Sequence, residues 1–130
     1  MKNFIKYQKL TLLWALFVLV LCSIPIGNAE VPGHFLFPGF DKLVHCGFFF
    51  VFTVLLYNGL IRQQEKLSVM KAVITIITGM MFGALIEVLQ ATVFTWRDGD
   101  WSDLFSDCVG VGMGAFCTLI IMSAMRYEKA

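Results

Sequence analysis

Charge is scarce in this chain. Only 15% of its 130 residues are Asp, Glu, Lys or Arg, while 58% are hydrophobic, and the mean hydropathy is +0.79. Soluble domains carry roughly 25% charged residues. A small soluble fold buries only about 60–70% of the surface its unfolded chain exposes, too little to hide so much apolar area. That excludes a soluble globular enzyme, and the same hydrophobicity excludes a disordered tail. A basic excess is also missing: the net charge is +1, which removes nucleic acid as a partner. Cysteine spacing lacks any Cys-x-x-Cys element. Cys22, Cys46, Cys108 and Cys117 all fall in apolar stretches and read as small hydrophobes rather than a disulfide or metal framework. A Cys46–Cys108 bridge stays open if those helix ends touch. Internal repeats and low-complexity segments are absent.

What is present is four long uncharged stretches. No charge separates Lys9 from Glu30 or Asp107 from Arg126, and Glu87 alone interrupts Lys71 to Arg97. Between Lys42 and Arg62 the strongly polar groups are His45 and Asn58. Each stretch accommodates the about 20 residues that cross a hydrocarbon core of about 30 Å, and helices satisfy their own backbone there. The chain is therefore expected to be all-α: one domain over 1–130, with transmembrane helices over about 10–27, 42–61, 70–94 and 104–125. Short connections imply an antiparallel four-helix bundle.

The first helix also fits a cleavable signal peptide, since Gly27-Asn28-Ala29 offers small residues before a cut. The long apolar run and Pro25-Ile26 favour a retained helix. Eight of the ten basic residues lie in the N-terminal tail, the 62–71 loop and the C-terminal tail. The positive-inside rule then puts both termini in the cytoplasm, the topology of a multi-pass membrane protein. Glu30, Asp41, Asp98, Asp100, Asp103 and Asp107 gather at the opposite, outer end.

Ionisable groups within spans are costly and by default mark function or pair with one another. Glu87 lies in the outer part of the third span. At about 100° per residue, Gly79, Gly83, Glu87 and Gln90 form one stripe. The glycines suit close helix packing and Gln90 suits interhelical hydrogen bonding, but a carboxylate is not needed where Leu would serve. On the fourth helix Asp103, Asp107, Gly110 and Gly114 share a face. Asp100, Ser102 and Asp103 are natural first-turn and cap residues, whereas Asp107 is a turn too deep to cap. Asp41 and His45 are i, i+4 on the second helix, and His45 has an ordinary pKa near neutrality. Arg97 sits in the outer loop, where it pairs with aspartates or offers a two-pronged anion site. Trp96 and Trp101 read as interface anchors.

Asp41-Lys42-x-x-His45, Glu87-x-x-Gln90 and Arg97-x-x-Asp100 followed by Asp103, Gly110 and Gly114 resemble, in that order, the VanZ-like family of small bacterial membrane proteins. The resemblance covers about residues 38–120. Two positions depart from it: Asp107 stands where Asn is common, and Ile86 where an acidic residue often precedes the glutamate. The family's founding member is associated with resistance to glycopeptide antibiotics, mainly teicoplanin.

Two functions follow as expectations. In the first, the outer site binds or acts on an anionic envelope substrate, such as a lipid-linked precursor or glycopeptide-related molecule, within the lipid bilayer. Lys42 and Arg97 hold the anion, with Gln90, Asp41, Asp100 and Asp107 as further binding residues. Glu87, His45 and Asp103 are the catalytic candidates, with burial tuning their acidity. No cofactor is required by the sequence. Glu87, Asp103 and Asp107 are a weaker alternative as oxygen ligands for a divalent cation, their spacing matching no recognised metal motif. In the second, a non-catalytic accessory or antibiotic-excluding protein uses the same groups as a lock on helix packing, since breaking buried pairs costs about 3–5 kcal/mol. The glycine stripes serve internal packing as readily as dimerisation, so they leave the number of copies open.

Overall fold

The computed structural model describes residues 2–24, 39–64, 68–94 and 100–127. They form four helices: α1 (Lys2–Ser23), α2 (Phe40–Gln64), α3 (Val69–Thr92) and α4 (Trp101–Tyr127). Each contains a span of at least 20 residues long and apolar enough to cross a membrane. The chain is thus an all-α, four-helix integral membrane protein.

The expected spans differ from these helices chiefly in α1. It begins at Lys2 instead of about residue 10 and ends at Ser23 instead of about 27. Helix formation does not stop where hydropathy does: lysine is a good helix former, so the basic tail continues the helix beyond the apolar run. Ile24 precedes Pro25, a position that disfavours helical backbone, and Ile24 forms a bend. At the start of α2, Gly39 has φ 87°, a left-handed conformation that glycine adopts without strain.

Sequential helices pack antiparallel. The Trp14 indole N–H donates to Phe48 O at 3.0 Å, and Gln8 Nε2 donates to Leu56 O at 3.2 Å. The most intimate pair, however, is α2 with α4, which run in the same direction. Two α4 glycines allow this. A Cβ at Gly110 would collide with the Cys46 carbonyl, and one at Gly114 would lie 2.8 Å from Phe50 O. The backbones therefore meet with no side chain between them. The α3 glycines do the complementary job. Gly79 receives Val111, whose Cγ2 would be 2.7 Å from an added Cβ, and Gly83 receives Asp107, whose Oδ2 would be 3.0 Å away.

This packing fixes the depth of the polar groups. Because α2 and α4 are parallel, both helix N-termini lie at the outer end of the sequence topology, and α3 ends there. Two helix dipoles thus present their positive ends where the carboxylates collect. Beneath that end lies an apolar floor of Phe49, Ile86 and Val111, all buried. Phe82 closes it, with ring centroids 5.6 Å from Phe49 and 5.1 Å from Phe52. None of the four cysteines is in a disulfide, Cys46 and Cys108 included.

Candidate functional site

His45 is the hub. It lies one turn into α2, is buried, and faces α4 because Gly110 draws the two backbones together. Its Nδ1 is 3.0 Å from Asp107 Oδ1, and its Nε2 is 3.9 Å from Asp103 Oδ2. One turn separates these aspartates on α4, so the imidazole sits between two carboxylates from one helix. Asp107 is fully buried and Asp103 nearly so.

Glu87 enters from α3, one turn beyond Gly83. Its Oε2 accepts the Asp100 backbone N–H at 3.0 Å. That N–H stands just before the first turn of α4, where free donors and the helix dipole favour an anion. One ligating atom each from His45, Glu87 and Asp107 lies within 4.8 Å of the others. The group expected to hold a cation was Glu87, Asp103 and Asp107; in the structure His45 takes the place of Asp103.

Lys42, one turn before His45, is surrounded by acid. Its Nζ lies 3.5 Å from Asp41, 3.5 Å from Asp100 and 3.6 Å from Asp103. An anionic headgroup at Lys42 would compete with three carboxylates already present. Asp41 and Asp100 are exposed. Asp100 acts as the α4 cap: its Oδ1 accepts the Ser102 N–H at 2.8 Å and its Oδ2 the Ser102 hydroxyl at 2.5 Å. These bonds hold the Asp100 carboxyl below its ordinary pKa, with Lys42 adding to the effect. Gln90 turns away from the cluster. Its Nε2 donates to Cys22 O of α1 at 3.2 Å, the interhelical role that its residue type allows. Arg97 and Trp96 lie outside the described residues.

The cluster is not self-sufficient. Glu87 Oε1 and Asp107 Oδ2 are buried atoms with no hydrogen-bond partner among the described residues, while Asp103 Oδ1, also without a hydrogen bond, faces the Lys42 ammonium at 3.6 Å. A buried, unpaired polar atom costs about 1–3 kcal/mol, more when charged. Beside Glu87 a cleft of about 290 Å³ opens between α3 and α4, with apolar walls from Ala84, Val88, Ala91, Trp101 and Leu104. Glu87 and Asp100 are its polar lining residues. Chemically, the arrangement offers a histidine flanked by carboxylates, two buried oxygens free to accept, and an apolar cleft at their side.

Sequence reasoning placed the polar residues at one depth. It missed the cleft, the Asp100 amide on Glu87 and the pairing of α2 with α4. The last was signalled by Gly110 and Gly114, which mark a close backbone approach without naming the partner helix. Comparison with known protein families, with curated proteins and with solved structures finds no match.

Proposed function

We propose that this is a VanZ-like protein of a bacterial inner membrane that binds or acts on an envelope amphiphile. The headgroup would meet the His45–Glu87–Asp107 cluster at the outer face, and the apolar part would lie in the α3–α4 cleft. The observation that carries this reading is the pair of buried, unpartnered oxygens on Glu87 and Asp107. A cluster whose sole task is packing would pair its own groups, because half-satisfied buried networks are costly. Oxygens held without partners beside a cleft suit a ligand that supplies donors or positive charge. Five carboxylates face Lys42 and His45 here, so an anionic headgroup such as a phosphate needs a cation between it and the acids. In that arrangement His45 and Glu87 are the acid–base candidates, and Asp103 orients the imidazole.

Binding of a bacterial polar-lipid extract to the purified protein, followed by native mass spectrometry, tests the reading. Wild type should retain a discrete amphiphile. Glu87→Gln should lose it through the headgroup, and Ala91→Phe should lose it by filling the cleft. Retention of the same species by both variants would refute the proposal.

One observation favours the lock instead: Lys42 ties the first turn of α2 to Asp100 and Asp103 of α4. That reading covers Lys42, Asp41 and Asp100 well. It leaves the free oxygens of Glu87 and Asp107 without a purpose.

A further inference from the structure

We infer that His45, Glu87 and Asp107 form a binding site for a divalent first-row transition cation of the Mn²⁺ class. The inference rests on the reading of this cluster as a functional site and adds the ion that the site holds. Metal bonds to imidazole nitrogen and carboxylate oxygen are about 2.0–2.2 Å long. Two atoms bound to one ion therefore stand about 3.0 Å apart at right angles and about 4.2 Å apart when opposed. His45 Nδ1 and Asp107 Oδ1 are 3.0 Å apart, and the whole triplet lies within 4.8 Å. Closing that triplet onto an ion takes roughly half an ångström, within reach of the flexible Glu87 side chain.

Proximity alone would not carry a site. The second observation is Asp107. Its side chain is fully buried, yet Oδ2 has no hydrogen-bond partner among the described residues. That oxygen points at Gly83, one turn below Glu87 on α3, where a Cβ would stand 3.0 Å away. Glu87 Oε1 is buried and unpartnered in the same way. Two carboxylates from two helices thus each keep one oxygen spoken for and one without a hydrogen-bond partner among the described residues, beside a buried imidazole. Buried charges are paired or coordinate metals. Here the described pairing is incomplete.

One imidazole and two carboxylates favour Mn²⁺, Fe²⁺ or Zn²⁺ over Ca²⁺ or Mg²⁺, whose ligands are oxygens. Three protein ligands leave coordination positions for a headgroup oxygen or water. Asp103, 3.9 Å from Nε2, then orients the imidazole from its far side, as carboxylates do for metal-bound histidines. Asp103 is a positioning residue in this scheme.

The test uses Mn²⁺, because the four unbridged cysteines would compete for softer ions. The full chain in detergent micelles is titrated and unbound Mn²⁺ is read by electron paramagnetic resonance. One equivalent should bind, and the bound ion should show nitrogen modulation from a single imidazole. His45→Asn should abolish the modulation, and Glu87→Gln should weaken binding at least tenfold. Asp103→Asn should weaken it by about 10–100-fold while the nitrogen signal persists. Thr92→Val should match wild type. Glu87→Gln keeps an acceptor for the Asp100 N–H, so it keeps the fold; helix content and elution volume verify this for each variant. Mn²⁺ bound without nitrogen modulation, or as tightly to folded Glu87→Gln, would overturn the site. Amphiphile binding that depends on Glu87 with no Mn²⁺ uptake would overturn the cation and leave the functional reading intact. Specific Mn²⁺ uptake with amphiphile binding indifferent to Glu87 would establish the cation and sink that reading.

Discussion

Gly110→Ala puts the packing of this bundle to a quantitative test. An added Cβ would collide with the Cys46 carbonyl, with Cys46 C at 3.0 Å and Cα at 3.1 Å. All three atoms are backbone, so no side-chain rotation relieves the clash and α2 must move away from α4. Overpacking costs about 1–3 kcal/mol, and a rigid backbone contact belongs at the upper end. Alanine returns about 1 kcal/mol through helix propensity. The net expectation is a loss of about 2 kcal/mol, a factor of about 30 in the folding equilibrium. Gly112, two residues on, has nothing within 4 Å of an added Cβ. Gly112→Ala should therefore gain up to about 1 kcal/mol, leaving the two variants about 3 kcal/mol apart. Reversible unfolding in mixed micelles, followed by helix content, measures the difference. As α2 parts from α4, the 3.0 Å contact between His45 and Asp107 should lengthen and shift the histidine ring resonances. Gly110→Ala within about 0.5 kcal/mol of Gly112→Ala would refute the backbone contact that positions the site.

Gln90→Leu should lower stability by about 1 kcal/mol, the scale of an interhelical hydrogen bond in a membrane, and should leave amphiphile binding intact, because Gln90 serves α1. Lys42→Met should destabilise the protein at neutral pH, and the difference from wild type should shrink as salt is added, since the ammonium is partly exposed and exposed pairs are screened. The low pKa of Asp100 sets a direction with pH. Its cap is at full strength above the ordinary carboxyl value of 3.8 and is lost as pH falls through the lower folded value. Asp100→Asn should therefore show a flatter stability profile than wild type between pH 4 and 2.5, with the two converging at the acid end.

Much of this was legible in the sequence because membrane proteins announce their spans. Uncharged runs from Leu10, Lys42, Lys71 and Asp107 onward placed four helices, and Glu87, His45 and Asp107 stood out because charge in a span is costly. Which helix each polar residue faces was not legible. Hydropathy is nearly uniform around these helices, since lipid-facing and buried surfaces are both apolar, so periodicity cannot orient them. Gln90 illustrates this: it shares a face with Glu87 by angle, yet bonds Cys22 of α1. Buried Tyr57 and Thr75, whose hydroxyls have no hydrogen-bond partner among the described residues, were overlooked because Tyr and Thr are unremarkable in a span. The α2–α4 pairing depends on long-range register, which short connections do not encode.

A working site and a packing lock at the His45–Glu87–Asp107 cluster differ in what Glu87→Gln does to stability. The substitution keeps an acceptor for the Asp100 N–H and removes a charge whose other oxygen is buried and unpartnered. Sites built for ligands trade stability for function. For a working site, the unfolding free energy of Glu87→Gln should stay within about 0.5 kcal/mol of wild type or rise, with amphiphile binding lost. A fall approaching the about 3–5 kcal/mol of a broken buried pair, with binding retained, would contradict it.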